Sequence, residues 1–362
     1  METHQTIRTW AEIDLSNLAH NYHTLRGLCP PDCKFLGVVK ADAYGHGAVP
    51  IAQALQDLGA EMLAVACLDE AIELRRAGIH LPILCLGQTD PQFAPALLEH
   101  QITQTVGDLE TGEALSAAAV RAGKTLTIHV KLDTGMGRLG FLENEPVGKL
   151  CRLPGLRAEG IFTHFSSADS DPAYTDRQYN AFLAAIHELH HEDGLDFQIY
   201  HCAASAAVLN CPWSHMGMVR PGIALYGHFP GTSLRPVMTL KSRVAAIRTV
   251  PAGSFISYGQ TARLTRDSRL AVIPIGYGDG YPRGLSNRAS MRIREKDCPL
   301  VGRVCMDMCM LDVTDFSEIQ TGDEVTVFAG PDWEKAAQEL DTIPYELLCR
   351  VSPRVPRVYR RA

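Results

Sequence analysis

A lysine that follows a predicted strand is the first residue in this sequence whose position indicates chemistry. The apolar run Phe35–Val39 is short and rich enough in β-branched residues to be a buried strand, and Lys40 comes directly after it. Burial removes water from around an amine and lowers its pKa, which favours the neutral, nucleophilic form. Such an amine can form a Schiff base with a carbonyl substrate or an aldehyde cofactor. On this stretch alone, an ordinary solvated lysine fits equally well.

Further polar residues lie at the ends of other predicted strands. Tyr44 follows the first of eight predicted strands, Lys131 lies in the fifth strand, and Arg138 and His164 follow the fifth and the sixth strands. His201 ends the seventh strand, Ser205 follows it, and Arg220 follows the eighth strand. In a parallel barrel the C-terminal ends of all strands meet at one mouth, where active sites lie. Any one of these residues is explained as well by packing. As a group they predict one active site.

The last two of these loops have the composition of a phosphate site. Loops after the seventh and eighth strands of a barrel commonly bind phosphate through backbone N–H groups and hydroxyls. Ser205, at a predicted helix start, and Gly222 and Ile223, after Arg220, fit that role. A Schiff-base lysine together with a phosphate site indicates pyridoxal 5'-phosphate as the cofactor.

Strand-like and helical patterns alternate over the first two-thirds of the chain. The predicted strands are Phe35–Val39, Met62–Ala66, Pro82–Leu86, Thr103–Val106, Leu126–Leu132, Arg157–Phe162, Phe197–His201 and Met216–Val219. The helical patterns between them include Ala48–Leu58, Asp69–Ala77, Leu109–Ala122 and Tyr174–His191. This alternation is typical of an α/β fold of the (β/α)8 TIM type. A doubly wound open sheet is the competing fold, but the G-x-G-x-x-G turn that usually follows its first strand is absent from the sequence.

The pattern changes after a connector rich in proline and glycine, His228–Pro236. Shorter strand-like runs follow, with one helical pattern around Trp333–Leu340. These runs are Met238–Val250, Arg269–Ile275, Met291–Ile293, Pro299–Val304, Met310–Val313 and Glu324–Phe328. The change predicts two domains, a cofactor-binding barrel over residues 1–235 and a mainly β domain over residues 236–362. The opening strand-like run, Thr6–Ile13, fits either domain.

Composition excludes several classes of protein. The chain has 362 residues and a formal net charge of −7 without a basic cluster, which argues against a nucleic-acid partner. Its start is polar, and no apolar window reaches the roughly 18 residues that a membrane span requires. Eleven cysteines, an odd number without zinc-site spacing, indicate a reducing compartment and no structural metal. We therefore expect a cytoplasmic protein that binds neither nucleic acid nor membrane.

Seven motifs in order along the chain resemble those of the alanine racemases, the barrel-type (fold type III) pyridoxal-phosphate enzymes. They are V-V-K-A-D-A-Y-G-H-G, H-V-K-L-D-T-G-M-G-R-L-G, G-I-F-T-H-F-S, M-V-R-P-G-I-A-L-Y-G, I-S-Y-G, P-I-G-Y-G-D-G-Y and V-G-R-V-C-M-D. Their order and spacing match over nearly the whole chain, which makes the resemblance far more specific than any single motif. It implies an isomerase that interconverts L- and D-alanine for peptidoglycan and works as a homodimer with shared active sites.

The resemblance also implies a role for each candidate residue. Lys40 would hold the cofactor and act as one base, and Tyr258 would reach the mouth from the second subunit as the opposite base. Tyr44, Ser205, Gly222 and Ile223 would bind the phosphate, Arg220 would contact the pyridine nitrogen, and His164 would lie beside the ring. Arg138 and the backbone of Met306 would bind the substrate carboxylate. Tyr277 would line the entrance, and Asp307 would lie next to the carboxylate site. Racemisation needs a base on each face of the substrate, which independently explains such a pair.

Two further residues bear on the details. Lys131 would lie in the same mouth as Arg138, and the matching lysine of the family can be carbamylated, which would replace a repulsive cation by an anionic partner. A neutral or solvent-facing lysine is the alternative.

Pro353 stands where many alanine-specific members have a tyrosine that holds the catalytic tyrosine and contacts the phosphate. A roomier pocket that admits serine and a pocket filled by another residue are both open at this point.

Three other functions share parts of this pattern. A serine or broad-specificity racemase would use the same motifs. A barrel-type decarboxylase has the same cofactor and domain plan, but it would need a carboxylate at the pyridine nitrogen, where the resemblance places Arg220. A non-catalytic pyridoxal-phosphate carrier typically stops after the barrel, whereas this chain continues through Tyr258 and Met306.

Overall fold

The computed structural model describes residues 8–361. Strand β1 (Thr9–Asp14) comes first and leads directly into helix α1 (Leu15–Arg26). The Asp14 carboxylate accepts hydrogen bonds from the backbone N–H groups of Ser16 and Asn17, which would otherwise have no partner in the first turn. This cap fixes the point at which the strand ends and the helix begins.

Eight parallel strands form a barrel. They are β2 (Lys34–Val38), β3 (Met62–Val65), β4 (Ile83–Cys85), β5 (Thr103–Val106), β6 (Leu126–Lys131), β7 (Leu156–Phe162), β8 (Ile199–His201) and β9 (Met218–Val219). They pair in chain order from β2 to β8, and β9 pairs with β2. Backbone hydrogen bonds from Gly217 to Tyr200 (3.1 Å) and from Arg220 to Ala203 (2.9 Å) join the last two strands. The predicted (β/α)8 fold is confirmed.

Helices surround the barrel and cover the outer face of its strands. They are α3 (Ala48–Leu58), α4 (Leu68–Arg76), α5 (Ala94–Glu99), α6 (Leu109–Arg121), α7 (Glu145–Cys151), α8 (Pro172–Asp193) and α9 (Ser205–Asn210), whereas α2 (Lys40–Gly45) is a short left-handed turn that follows β2. All four residues of β3 are buried, because one face of the strand packs inside the barrel and the other packs under helices. Within residues 8–361, no helix is both long enough and apolar enough to cross a membrane.

The second half of the chain is mainly β, as predicted. Its elements are β10 (Met238–Arg243), β11 (Ala246–Val250), β12 (Phe255–Ile256), β13 (Ala262–Arg263), β14 (Ser268–Ile273), β15 (Ser290–Ile293), β16 (Lys296–Pro299), β17 (Cys309–Asp312), β18 (Glu324–Phe328), α10 (Asp332–Glu339), α11 (Pro344–Cys349) and β19 (Arg357–Arg360). Six strands form one sheet in the order β16, β15, β18, β10, β1, β19. The first strand thus pairs with the second half of the chain. The domain division between residues 235 and 236 stays a prediction.

Two strands of this half differ from the sequence-based expectation. The strand predicted over Pro299–Val304 is wrong, because β16 ends at Pro299 and pairs antiparallel with β15. Gly302 has a φ of 82°, a left-handed conformation that interrupts an extended strand. The run predicted over Met238–Val250 is divided into β10 and β11, which belong to different sheets.

Candidate active site

A cavity of about 560 Å³ lies at the C-terminal ends of the barrel strands. Nine of the predicted site residues line it: Lys40, Tyr44, Lys131, Arg138, His164, Ser205, Arg220, Gly222 and Ile223. They lie at the ends of five different strands, which only a closed barrel brings to one place. The structure therefore gathers all the barrel residues to which the sequence analysis assigned a role.

The cavity carries an excess of positive charge. Four of its lining residues are cationic (Lys40, Lys131, Arg138 and Arg220), whereas Asp169 is the one carboxylate among the described lining residues. Burial, and next the charge of Arg138, lower the pKa of Lys40 from its ordinary value of 10.5. Burial, and next the charge of Arg220, lower the pKa of Lys131 to about 8. Such a cavity suits an anionic ligand, and its two lysines lose their protons more readily than free lysines.

Lys40 lies at the start of a left-handed helical turn. Residues 41–44, none of them glycine, have φ between 52° and 54°. This conformation costs about 1–2 kcal/mol per residue, so the surrounding structure must hold it in place. Glu70 accepts a hydrogen bond from the Ala41 N–H (2.7 Å), and the N–H of Gly47 donates to the carbonyl of Asp42 (2.9 Å). The turn brings the lysine at its start and the tyrosine near its end to the same cavity.

The Arg220 guanidinium is buried and held by acceptors on several sides. Its Nη1 donates to Nδ1 of His201 (2.7 Å), and its Nη2 lies near the Thr163 carbonyl (2.9 Å), the Cys202 carbonyl (3.1 Å) and Nδ1 of His164 (3.2 Å). Burial lowers the pKa of Arg220 to about 10, so it stays protonated at neutral pH. The group is a fixed cation that can donate hydrogen bonds into the cavity but cannot accept them.

A hydroxyl and a glycine shape the other side of the cavity. Ser205 is the first residue of α9, and its Oγ accepts hydrogen bonds from the N–H groups of Gly222 (2.9 Å) and Ala224 (3.2 Å). A Cβ at Gly222 would lie 2.4 Å from the Tyr44 hydroxyl, so only glycine leaves that hydroxyl its place. Burial raises the pKa of Tyr44, which keeps its phenol neutral and able to donate a hydrogen bond.

An aspartate that the sequence analysis did not single out shapes the loop that carries Arg138. Asp133 Oδ1 accepts hydrogen bonds from the N–H groups of Gly135 (2.9 Å), Met136 (2.8 Å) and Gly137 (3.1 Å), and its Oδ2 accepts one from Arg138 (3.1 Å). Burial alone would raise the pKa of Asp133, but these four bonds outweigh it and lower the pKa. The D-T-G-M-G-R sequence contained this signal, since an aspartate before a glycine-rich turn commonly accepts from its own loop.

The four remaining predicted site residues lie elsewhere, on the second half of the chain. Tyr258 is 70% exposed, and Tyr277 and Met306 are also exposed. The Tyr277 N–H donates to the Cys305 carbonyl (3.1 Å), and Asp307 accepts a hydrogen bond from Arg354 (2.8 Å). None of these four residues is among the described residues that line the cavity.

Comparison with known proteins shows the family to which this chain belongs. Residues 13–230 match the family model of the alanine racemase N-terminal domain, and residues 237–359 match that of the C-terminal domain. The chain belongs to the alanine racemase family. The resemblance inferred from the seven motifs is thereby confirmed.

Individual members of the alanine racemase family match along almost their full length. The chain is 48% identical over 362 residues to the alanine racemase of Desulfovibrio desulfuricans and covers 97% of each sequence. The solved alanine racemase of Clostridium difficile 630 is 40% identical with a TM-score of 0.94, over 98% of this chain and 96% of that one. The alanine racemase of D-cycloserine-producing Streptomyces lavendulae is 36% identical with a TM-score of 0.93, over 98% of both chains.

Alanine racemases use pyridoxal phosphate, and the cavity residues fit that group. A partly buried lysine with a lowered pKa is present, as attachment of an aldehyde requires. The hydroxyls of Ser205 and Tyr44, the latter admitted beside Gly222 by the lack of a side chain there, and the cations of the cavity provide partners for a phosphate. Arg220 offers N–H donors to a ring nitrogen.

The cavity also contains an aromatic residue that the sequence analysis missed. Tyr345, on α11, lines the cavity, and its ring centroid lies 6.2 Å from that of Tyr44. Pro353 is exposed on this chain and is not among the described residues that line the cavity. Helix α11 has only six residues, too few for a clear helical period in the sequence. Tyr345 therefore occupies part of the cavity, and the two possibilities stated for Pro353 stay predictions.

Proposed function

We propose that this chain interconverts L- and D-alanine by removing the α-proton from one face of the substrate and returning a proton to the other. The observation that carries the proposal is the convergence of Lys40, Arg138 and Arg220 on one cationic cavity, which suits the anionic groups of both an amino acid and pyridoxal phosphate. The bases are Lys40 of one subunit and Tyr258 of the partner subunit. The non-enzyme alternative, a pyridoxal-phosphate carrier protein, would leave the second half of the chain without a role.

The cavity residues divide into those that hold the cofactor and those that hold the substrate. Lys40 would bind the aldehyde carbon, and Arg220 and His164 would contact the ring. The Tyr44 and Ser205 hydroxyls, with the backbone at Gly222 and Ile223, would bind the phosphate. Arg138 would bind the substrate carboxylate together with the backbone of Met306 of the partner subunit. When bound, pyridoxal phosphate supplies an electron-withdrawing ring that makes the α-proton of the amino acid acidic.

Arg220 distinguishes racemisation from related reactions. A guanidinium keeps its proton and cannot pass it to the pyridine nitrogen, as a carboxylate partner would allow. The arginine therefore restrains the electron-withdrawing power of the ring and disfavours side reactions such as transamination. A decarboxylase of the same architecture would need a carboxylate at this position, where the buried guanidinium already occupies the acceptors of His201 and Thr163.

The second base requires a second subunit. Tyr258 is exposed on the second half of this chain, outside the described lining of its own cavity. A homodimer in which this face meets the partner's barrel mouth would deliver the phenol to the face of the substrate opposite Lys40. Tyr277, Met306 and Asp307 lie on the same half and would complete the entrance and the carboxylate site. The smallest active unit is then a dimer with shared sites.

Two assays test the substrate and the reaction. Incubation with L-alanine in deuterated water should give D-alanine with deuterium at the α-carbon, a result that neither a carrier nor a decarboxylase produces. The value of kcat/KM should be higher for L-alanine than for L-serine, because Tyr345 occupies part of the cavity near Tyr44. An equal or higher kcat/KM for L-serine would refute the assignment of alanine as the preferred substrate.

We place the reaction in the cytoplasm, in support of peptidoglycan synthesis, consistent with an odd number of cysteines.

The cofactor should attach to the chain at a pH below that at which an ordinary lysine loses its proton. Because only the neutral amine attacks an aldehyde, the rate of attachment should rise with pH through the lowered pKa of Lys40 and level off above it. Stopped-flow absorbance during reconstitution measures this profile. In Arg138→Met the midpoint should move upward, because a cation that lowers the pKa is lost, but not to 10.5, because burial remains. A midpoint at 10.5 in the unaltered chain would contradict the assignment.

Lys131 is proposed to carry a carbamate. Its Nζ donates to the carbonyl of Leu132, and its pKa of about 8 leaves part of the amine neutral at physiological pH. A neutral amine can add carbon dioxide and release one proton, which gives an anion. The charge of Arg138 contributes to the lowered pKa of Lys131, so this anion would lie within electrostatic reach of the guanidinium.

Lys131→Ala should lower kcat/KM roughly tenfold or more, because a hydrogen bond to a charged group contributes about 1.5–3 kcal/mol. Added acetate or formate should restore part of the activity by supplying the missing anion. The matched control is Lys124→Ala, which removes an exposed lysine just before β6. Activity that neither falls in Lys131→Ala nor responds to carboxylate ions would rule the carbamate out.

A further inference from the structure

A buried histidine is bonded to the left-handed turn that carries Lys40 and Tyr44. His46 is fully buried, and its Nδ1 lies 2.9 Å from the carbonyl oxygen of Ala43 and 3.0 Å from that of Tyr44. Both carbonyls belong to residues with a left-handed backbone. His46 is not among the described residues that line the cavity, so its ring acts on the backbone of the turn. We call residues 40–45 the anchor turn.

The chemistry of its two partners fixes the tautomer of His46. A carbonyl oxygen can only accept hydrogen bonds, so Nδ1 must donate to both carbonyls and carries the ring proton. Burial is the largest cause that lowers the pKa of His46 to about 3, so the imidazole is neutral at physiological pH and Nε2 is bare. Nε2 is buried and has no hydrogen-bond partner within residues 8–361. The hydrogen bonds of the ring therefore go to the anchor turn.

The anchor turn needs support from outside its own backbone. Each of the residues Ala41 to Tyr44 has a φ between 52° and 54°, and none is a glycine, so each would be more stable in the right-handed conformation. The direction of a carbonyl depends on the backbone dihedral angles. The two bonds to His46 are therefore made by the left-handed form and would be lost if the backbone changed hand.

The imidazole is itself held on two sides. Its ring packs on that of Tyr226, with centroids 4.5 Å apart, and the Tyr226 hydroxyl donates to the Val38 carbonyl of β2 (2.9 Å). From β19, the Tyr359 hydroxyl donates to the backbone carbonyl of His46 (3.0 Å). A Cβ at Gly47 would overlap that hydroxyl, so glycine leaves it its place. A ring fixed in this way can hold the turn to which it is bonded.

We propose that His46 is a positioning residue for the cofactor site: by holding the carbonyls of Ala43 and Tyr44, it keeps the anchor turn left-handed, with Lys40 and Tyr44 both at the cavity. The proposal rests on the proposed function in one respect, because the roles of the Lys40 amine and the Tyr44 hydroxyl toward pyridoxal phosphate belong to that function. The hydrogen bonds of the imidazole are properties of the folded chain.

Two amide substitutions separate the bonds of Nδ1 from the packing of the ring. His46→Asn places an N–H at the same number of bonds from the backbone as Nδ1, so it can still donate to the two carbonyls. His46→Gln is the matched control, because its N–H lies one bond farther out. In an absorbance titration, His46→Asn should bind pyridoxal phosphate nearly as tightly as the unaltered chain. The apparent Kd of His46→Gln should rise about tenfold, the upper end for one lost neutral hydrogen bond.

Kinetics provide a second readout of the same pair of variants. At saturating cofactor, His46→Gln should have a kcat about tenfold lower, because the Lys40 amine is less well placed, and His46→Asn should restore most of this loss. The KM for alanine should change little in either variant, because the substrate carboxylate is assigned to Arg138, which lies outside the anchor turn. Equal losses in the two variants would show that the ring is needed only for packing, and would overturn the proposal.

Nitrogen NMR of the unaltered, cofactor-loaded protein gives a readout that depends on no variant, since protonated and bare ring nitrogens have distinct shifts. His46 should be neutral with its proton on Nδ1, and a proton on Nε2 would overturn the proposal. A proton on Nδ1, together with tighter binding of pyridoxal phosphate by His46→Asn than by His46→Gln, would support it. The same results in a chain that does not racemise alanine would support the proposal and refute the proposed function instead.

Discussion

Replacing Lys40 with alanine is expected to abolish covalent attachment of pyridoxal phosphate and to lower the rate of racemisation by about four orders of magnitude, the upper end for loss of a positioned general base. The lysine is assigned two roles at once, as the attachment point of the cofactor and as one of the two bases. Burial and the charge of Arg138 favour its neutral form, and the held left-handed turn after it fixes its position in the cavity.

Borohydride reduction followed by peptide mapping measures the first effect, and polarimetry measures the second. Lys34→Ala is the matched control, because Lys34 is an exposed lysine at the opposite end of the same strand, β2. That variant should keep both attachment and activity. If the cofactor is trapped on another lysine of the cavity in Lys40→Ala, for example Lys131, the anchor has been assigned to the wrong residue.

Replacing Tyr258 with phenylalanine should lower racemisation by about two to four orders of magnitude, because the phenol hydroxyl is the base on the face opposite Lys40. The variant should still bind the cofactor, since this exposed tyrosine lies outside the described lining of the cavity of its own chain. It should also still exchange the α-proton of one alanine enantiomer with solvent, because one base remains. Tyr179→Phe, which removes a hydroxyl on helix α8, should leave the rate unchanged.

Mixing the two inactive variants tests whether the sites are shared between subunits. In a dimer of one Lys40→Ala chain and one Tyr258→Phe chain, one of the two sites receives both an intact lysine and an intact tyrosine. Random exchange of subunits should therefore restore about a quarter of the unaltered activity, as a symmetric dimer with shared sites requires. Mixtures that stay inactive after subunit exchange would show that both bases come from one chain.

The barrel and its mouth could be predicted from the sequence because their signals are local. Each buried strand is a short apolar run, and in a barrel the residue that follows such a run lies at the mouth. Lys40 after β2, His164 after β7 and Arg220 after β9 all follow this rule, and all three line the cavity. Helix α3, with a glycine at either end, was equally clear.

Features that depend on contacts between distant segments could not be predicted in this way. The strand predicted at Pro299–Val304 has a suitable composition, but the left-handed Gly302 interrupts it. Tyr345 lies on a helix of six residues, too short to have a recognisable period, and reaches the cavity only because that helix packs against the turn after Lys40. Glu159 is an extra residue at a bulge between β6 and β7, and a bulge depends on how two strands pair.

By itself, the sequence determined the class of fold, the order of the barrel strands and the residue types at their ends, because hydrophobic periodicity and motif spacing are properties of the chain. The tertiary structure decided how those residues combine. Closure of the barrel brings Lys40 beside Arg138 and shields it from water, and these two effects together lower its pKa. The folding of the chain also leaves Tyr258 exposed on the second half. Distances, burial and pKa shifts arise when segments far apart in sequence pack together, and no local pattern contains them.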